Sequence, residues 1–443
     1  MSGPATPWQD IIDLRVEAAV SPGRPMKWGP LEPGDNDARL NFGRVWGPWD
    51  VLPGDPDAQG LWVDISEAVT ELEWTGGAVS SDTVFGRWEA AQMRAVFHDP
   101  QLLLDPTNSQ SPLVSRTVPN TPIRIRAGYR PAPGEPCPDG ELRTVFGGYV
   151  DTWAPQWNAE PFERMTEVTA TDGTKILAAF DTNALDVPVG SGETASQRIH
   201  RILDHAGWPA EQRNITPGGF RMLSTDHAQP AWTELLLTAD SDMGYCWLDT
   251  DGSLSYRTGE EIRSHAGDEP SVIFGTGGLD CLLAAVPSFA ADSIRNVITA
   301  SNGTVTRTVA DESSVFRYRA HSYRRTDLKM NSAAQLQQWL DQVLFVGSMP
   351  RRLISQILMD CTRAPEAFRW TLVPDALVVW QVSWTPPGDG TAHTVTQYVQ
   401  PAGWVHNVTA DEWLTTVTTA IPPWPVEFHG WDYGLWDEYL WKG

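Results

Sequence analysis

The run WEAAQMRAVF at residues 88–97 decides how the first half of the chain is read. Ala91, Met93, Ala95 and Phe97 alternate with Gln92 and Arg94, a period of two that places apolar side chains on one face of a strand and polar ones on the other. Similar short segments surround it: Leu61–Ile65, Val69–Trp74, Pro122–Tyr129, Arg143–Trp153 and Arg164–Thr171, each rich in β-branched and aromatic residues and bounded by turn clusters. Successive short strands of this kind predict an antiparallel barrel over residues 61–182.

Upstream, residues 1–60 are rich in Pro, Gly and Trp and read as an extended arm with one strand, Leu14–Val20. Downstream, the period changes. Thr194 and Gln197 have the spacing of a capping box, Ile199, Ile202, Leu203 and Ala206 follow at helical spacing, and Gly207 with Pro209 ends the helix. A second helix carries Trp232, Leu235, Leu236, Ala239 and Met243, and a hairpin pairs Tyr245–Asp249 with Ser253–Arg257. Residues 183–290 are therefore expected to form a small α+β domain. Strands return at Ile294–Ala300, Val315–Ala320, Phe368–Val373, Leu377–Trp384, Thr394–Val399, Gly403–Val408 and Trp413–Thr419, interrupted by a helix at 333–344 capped by Asn331 or Ser332. This predicts a second barrel over 291–421. The expected fold class is mainly β with an α+β insertion, two antiparallel β-barrel domains flanking a small α+β domain. Residues 422–443 form an aromatic, acidic tail.

Composition excludes several functions. The chain of 443 residues carries a formal charge of −24, which opposes binding to phosphate backbones and anionic lipid, since both rely on cations. No sequence-specific nucleic-acid partner and no membrane insertion are expected. The longest apolar runs are far too short to span a bilayer, and the first residues lack the basic and apolar regions of a secretory signal. Cys137, Cys246, Cys281 and Cys361 have no metal-ligand spacing and read as buried small hydrophobes.

No constellation points to catalysis. Gly190-Ser191-Gly192 is not a nucleophile elbow, and the glycines at 275, 277 and 278 lack the Lys-Ser/Thr of a phosphate loop. Asp249, Asp251 and Gly252 read as a hairpin turn rather than a calcium loop. Asp181, Asn183 and Asp186 fall where a linker is expected, and His200 and His205 lie on different helix faces. No enzyme activity, cofactor or metal is expected. The 22 tryptophans suit either glycan-stacking platforms or β cores and subunit interfaces. Trp431, Tyr433, Trp436, Tyr439 and Trp441, interleaved with Asp432, Asp437 and Glu438, are candidate partner contacts. They would seat on a neighbouring subunit or tail protein, or fold back onto the chain's own second barrel.

Several stretches together resemble the minor tail proteins of long-tailed actinobacterial phages, of the tail-tip hub type. They are GRWEAAQMRAVFHD at 86–99 followed by LDPTN at 104–108, TPIRIR at 121–126, VFGGYVDTW at 145–153, VTATD at 168–172, RIHRILDHAGWP at 198–209, IRNVI at 294–298, and GWVHNVT at 403–409 with Trp413. The similarity runs piecewise from about residue 61 to 420 and lies in the order and spacing of these stretches. It implies a structural protein similar in architecture to the baseplate hub of contractile tails. Such a protein forms a homotrimer whose paired barrels match a sixfold tail tube and enclose part of the DNA exit channel. The implied partners are distal tail and tail-tube proteins, the tape measure protein, and other minor tail or fibre proteins. The implied location is the distal end of the virion tail. A receptor- or glycan-binding tail protein is the alternative.

Overall fold

The computed structural model describes residues 7–19, 62–77, 88–111, 113, 116–182, 191–224, 229–265, 269–288, 294–350, 353–375, 377–385 and 394–420. The first strands are β1 (Ile12–Ala18), β2 (Val63–Asp64), β3 (Val69–Gly76), β4 (Gln92–His98), β5 (Pro122–Tyr129), β6 (Arg143–Gln156) and β7 (Met165–Thr171). In β4, Met93, Ala95 and Phe97 are buried while Gln92 and Arg94 face outward, as the alternation demands.

Two small α/β units follow. In one, β8 (Arg213–Ile215), β9 (Tyr245–Leu248) and β10 (Leu254–Arg257) pack against helices Ala195–His205 and Ala231–Asp242. The capping box is formed: Thr194 accepts from the Gln197 N–H, and the Gln197 side chain accepts from the Thr194 N–H. After β11 (Val272–Gly275) and β12 (Leu282–Ser288), the second unit pairs β13 (Val297–Ser301) with β14 (Thr306–Ala310) and β15 (Ser322–Arg325). Its helix, Ala333–Gly347, is capped by Ser332 and buries Leu336, Trp339, Leu340 and Val343. The chain ends its described course with β16 (Leu353–Asp360), β17 (Trp380–Trp384), β18 (Val395–Thr409) and β19 (Trp413–Ala420).

Thirteen of these strands form one sheet, with β3 hydrogen-bonded to β18. The expected mainly β fold is present, but the strands expected in two separate barrels are joined across this ladder. They also share one core, which holds Phe97, Ile125 and Val168 together with Ile357, Val382 and Val417.

The halves on either side of β3·β18 repeat one topology. Leaving aside the two-residue β2, which pairs with β1 at the far edge, the first runs β1-β5-β6-β7-β4-β3, the second β11-β17-β18-β19-β16-β12. Numbered by order along the chain, both read first, fourth, fifth, sixth, third, second. Every pairing is antiparallel in both halves except the outermost, which is antiparallel for β1·β5 and parallel for β11·β17. The irregularities repeat as well. β6 shifts register between Val150 and Thr152, and β18 between Pro401 and Gly403. β3 shifts between Val69 and Glu71, and β12 between Leu282 and Ala284, with a further shift between Val286 and Pro287 that β3 lacks.

Two expected strands are helices instead. At 315–320 the side chain of Asp311 caps the N–H groups of Ser313 and Ser314, and the chain winds into a helix, Glu312–Tyr318. At 368–373, Pro365 opens a 3₁₀ turn that leads into a short helix, Phe368–Thr371, burying Phe368 and Thr371. The two strands expected at 394–399 and 403–408 are one, because Pro401-Ala402-Gly403 forms a bulge and not a break. Among the described residues, no helix is long and apolar enough to cross a membrane.

Candidate functional site

The joint between the halves is built of aromatic rings. In the β3·β18 register Trp74 lies opposite His406, and the two rings stack with centroids 4.4 Å apart. Trp413 meets Trp74 edge-on at 5.7 Å, and Phe368 and Trp8 meet Trp413 at 4.9 and 5.3 Å. The His406 tautomer follows from its partners. Its Nδ1 accepts from the Trp413 indole N–H at 3.1 Å, so its Nε2–H donates to the Thr371 carbonyl at 3.0 Å. Complete burial pushes the imidazole down to about 3, so it stays neutral. Trp8 donates to the Thr409 carbonyl, tying the start of the described chain to the β18–β19 turn. At the other end of the ladder Gly76 faces Trp404, and a Cβ there would overlap the indole.

On the solvent side of this joint the sheet is polar and poor in cations. The six adjacent strands β16, β19, β18, β3, β4 and β7 contain a single Lys or Arg, Arg94. Glu167 and Glu71 hold it at 2.7 and 3.4 Å. Around it the outward positions include Glu73, Gln92, Thr169, Asn407, Thr409, Thr416, Thr418 and Gln356, with the half-buried Val96, Val405, Leu358 and Leu414 among them. Further out, Glu17 pairs with Arg124 and Arg126, while Asp13 pairs with Arg15 and Arg130. The Arg124 guanidinium also lies over Trp62, 4.1 Å from the ring.

Behind the joint is a crevice of about 310 Å³ lined by Trp88, Trp247, Trp404, Arg257, Asp172 and Asp249, among others. Its carboxylates are structural. Asp249 accepts from the Trp247 indole at 2.7 Å and from the Ser255 hydroxyl, fixing the hairpin. Asp172 accepts from the N–H groups of Ala91 and Thr174. Burial pushes both up to about 6. Asp242, in the neighbouring unit, accepts from the Tyr256 hydroxyl and the Phe220 and Gly259 N–H groups and is likewise raised to about 6. Among the described residues no three His, Cys, Asp or Glu side chains are grouped to hold a metal.

Among the described residues many tryptophans fill the interior: Trp74, Trp208, Trp339, Trp380 and Trp413 are among the largest fully buried side chains. All four cysteines are free and buried. His200 and His205 are exposed. Trp431, Tyr433, Trp436, Tyr439 and Trp441 lie outside the described residues, as do Asn183 and Asp186. Sequence reasoning missed several apolar exposures, Phe316 and Phe345 among them, and two concern the large sheet. One is Trp157 with Phe162 beyond the end of β6, and the other is Leu283 with Val286 on β12. Nothing in an apolar residue's identity marks it as uncovered.

No family model matches the chain, and no curated protein matches it at a significant level. Solved structures do. The 43 kDa tail protein of prophage MuSo2 from Shewanella oneidensis superposes with a TM-score of 0.52 at 13% identity, over 82% of this chain and 96% of that one. The tail protein from Neisseria meningitidis MC58 gives 0.52 at 11% identity, over 83% and 97%. The chain thus shares its fold with phage tail proteins.

Proposed function

We propose that this chain is a structural phage tail protein, a tail-tip hub that forms a ring at the distal end of the tail tube. The duplication of one six-strand topology within a single continuous sheet carries this reading. A chain with two like halves offers two like surfaces, so three copies offer six to a sixfold tube and three to whatever lies below. The shared fold with phage tail proteins supports the same assignment. The cation-poor face of the sheet suits a channel wall, because DNA passes a surface that holds no phosphates. Tail-tube and tape measure proteins would meet the ring from above, and other minor tail or fibre proteins from below.

Cryo-electron microscopy of assembled tails tests the reading. Three copies of this chain in one ring are expected, and a ring of six would refute it. The aromatic tail enters as a contact to a neighbouring subunit or tail protein, since a free tail would expose several large rings that need a receiving surface. Deleting residues 424–443 should leave the melting curve nearly unchanged while blocking assembly of the tail tip. A truncated chain that assembles normally would remove this contact, and one that fails to fold would place the tail on its own subunit.

A further inference from the structure

The internal duplication specifies an unfilled joint. Within the chain, β3 pairs with residues 404–409 of β18, on the edge that β17 leaves when its own pairing stops at Val399. The counterparts of β3 and β18 are β12 and β6. Pairing of β5 with β6 stops at Tyr149, and among the described residues no strand pairs with that edge of residues 152–156. β12 is the last strand at its end of the sheet, bonded only to β16. Each half therefore has the parts of the same joint, and one joint is made.

We propose that β12 of one copy pairs antiparallel with residues 152–156 of a second copy, repeating between chains the β3·β18 joint made within one. The matched register shifts fix the alignment. Thr152 corresponds to Gly403 and Gln156 to Asn407, because their partners Thr169 and Met165 on β7 occupy the places of Thr418 and Leu414 on β19. Val286 corresponds to Glu73, since Glu73 pairs with Arg94 of β4 as Val286 pairs with Gln356 of β16. Asn407 faces Glu73 in the internal joint, so Gln156 of one copy faces Val286 of the next. By the same count Trp157 takes the place of Val408 and Ala285 that of Leu72.

Exposure agrees with a joint that lacks its other side. Val408 is 4% exposed against Leu72, whereas Trp157 is 68% exposed. Trp157 is nonetheless held in place, its indole N–H donating to the buried Asp105 carboxylate at 2.9 Å. Phe162 beside it, and Leu283 and Val286 on the opposing strand, are exposed as well. In this register Trp157 lies beside Ala285 on one face of the new ladder and Val286 beside Gln156 on the other, and an aromatic already held in place is the kind of anchor that dominates interfaces. Pro155 and Pro287 can donate no ladder bond, which guards both edges against unregistered pairing. The contact is heterologous, head to tail, and closes as a ring. The strand pairing rests on the duplication, and the ring size of three rests on the proposed function.

Engineered cysteines in the full-length chain test the pairing. Oxidation of the Gln156→Cys/Val286→Cys double variant should give covalent oligomers on a non-reducing gel. Neither single variant should do so, nor should the double variant Thr152→Cys/Val286→Cys, which is out of register. Trp157→Ala should weaken self-association of the uncrosslinked chain about tenfold or more, measured below its own melting temperature, which the loss of the indole donor to Asp105 lowers. A double variant that stays monomeric, or cross-links no better than the out-of-register pair, overturns the pairing. Native mass spectrometry separates the two claims. Register-specific cross-links in an assembly of other than three copies would keep the pairing and sink the ring reading, and a three-copy ring without them would do the reverse.

Discussion

His406 shows how one residue couples the joint to pH. The unfolded chain protonates a histidine near pH 6.5, while the folded chain refuses the proton down to about 3. The stability this group contributes is therefore complete above about pH 6.5 and falls by about 1.4 kcal/mol per pH unit as the pH drops from there. Asp172, Asp242 and Asp249 act in the opposite sense. Their folded values of about 6 lie above the ordinary 3.8, so they bind protons first in the folded chain and add stability as the pH falls from 6 to 4. Wild type must then be compared with a variant, not read alone. His406→Gln keeps a donor for Thr371 and an acceptor for Trp413 but has no proton to refuse. Its deficit in melting temperature against wild type should narrow steadily between pH 7 and pH 4.5. A constant deficit over that range would mean that His406 is not held neutral.

At the scale of elements, local signals were legible where local forces decide. The Thr194 and Gln197 pair was readable because a capping box is a contact across three residues, and it is formed. Thr194→Ala should cost about 1 kcal/mol in chemical denaturation, with Thr194→Ser restoring most of it. No loss on Thr194→Ala would mean that packing alone holds this helix end. Pro122–Tyr129 was legible in the same way, as a run of β-branched and apolar residues, and it is β5. The segments misread at 315–320 and 368–373 have strand-like side chains, yet a capping Asp311 and a leading Pro365 start helices there. The repeat of one topology left no trace in the sequence, because it lies in which strands pair and where the ladders slip. Trp157 and Val286 were illegible for the same reason, since exposure belongs to the assembled sheet.

Charge operates at the scale of the whole molecule. Formal charge is −24 per chain, and three copies in the proposed ring would carry about −72, but what DNA passing through that ring would meet is the local face rather than the total. On that face Arg94 is neutralised by Glu71 and Glu167, while threonines, amides and the aliphatic Val96, Val405, Leu358 and Leu414 occupy other outward positions. A wall of this kind offers hydrogen bonds without cations, so it releases no counterions from DNA and gains no salt-dependent affinity. Replacing Glu71, Glu73 and Glu167 with lysine should reverse this, adding three cations and freeing Arg94. Duplex DNA binding measured by fluorescence anisotropy between 50 and 200 mM salt should be negligible for wild type. In the triple variant it should appear with a salt slope of about 0.9 per phosphate contacted. Wild-type protein that binds duplex DNA as tightly, and with as steep a slope, would rule the face out as a passive wall. DNA would then be held at the tail tip rather than let through.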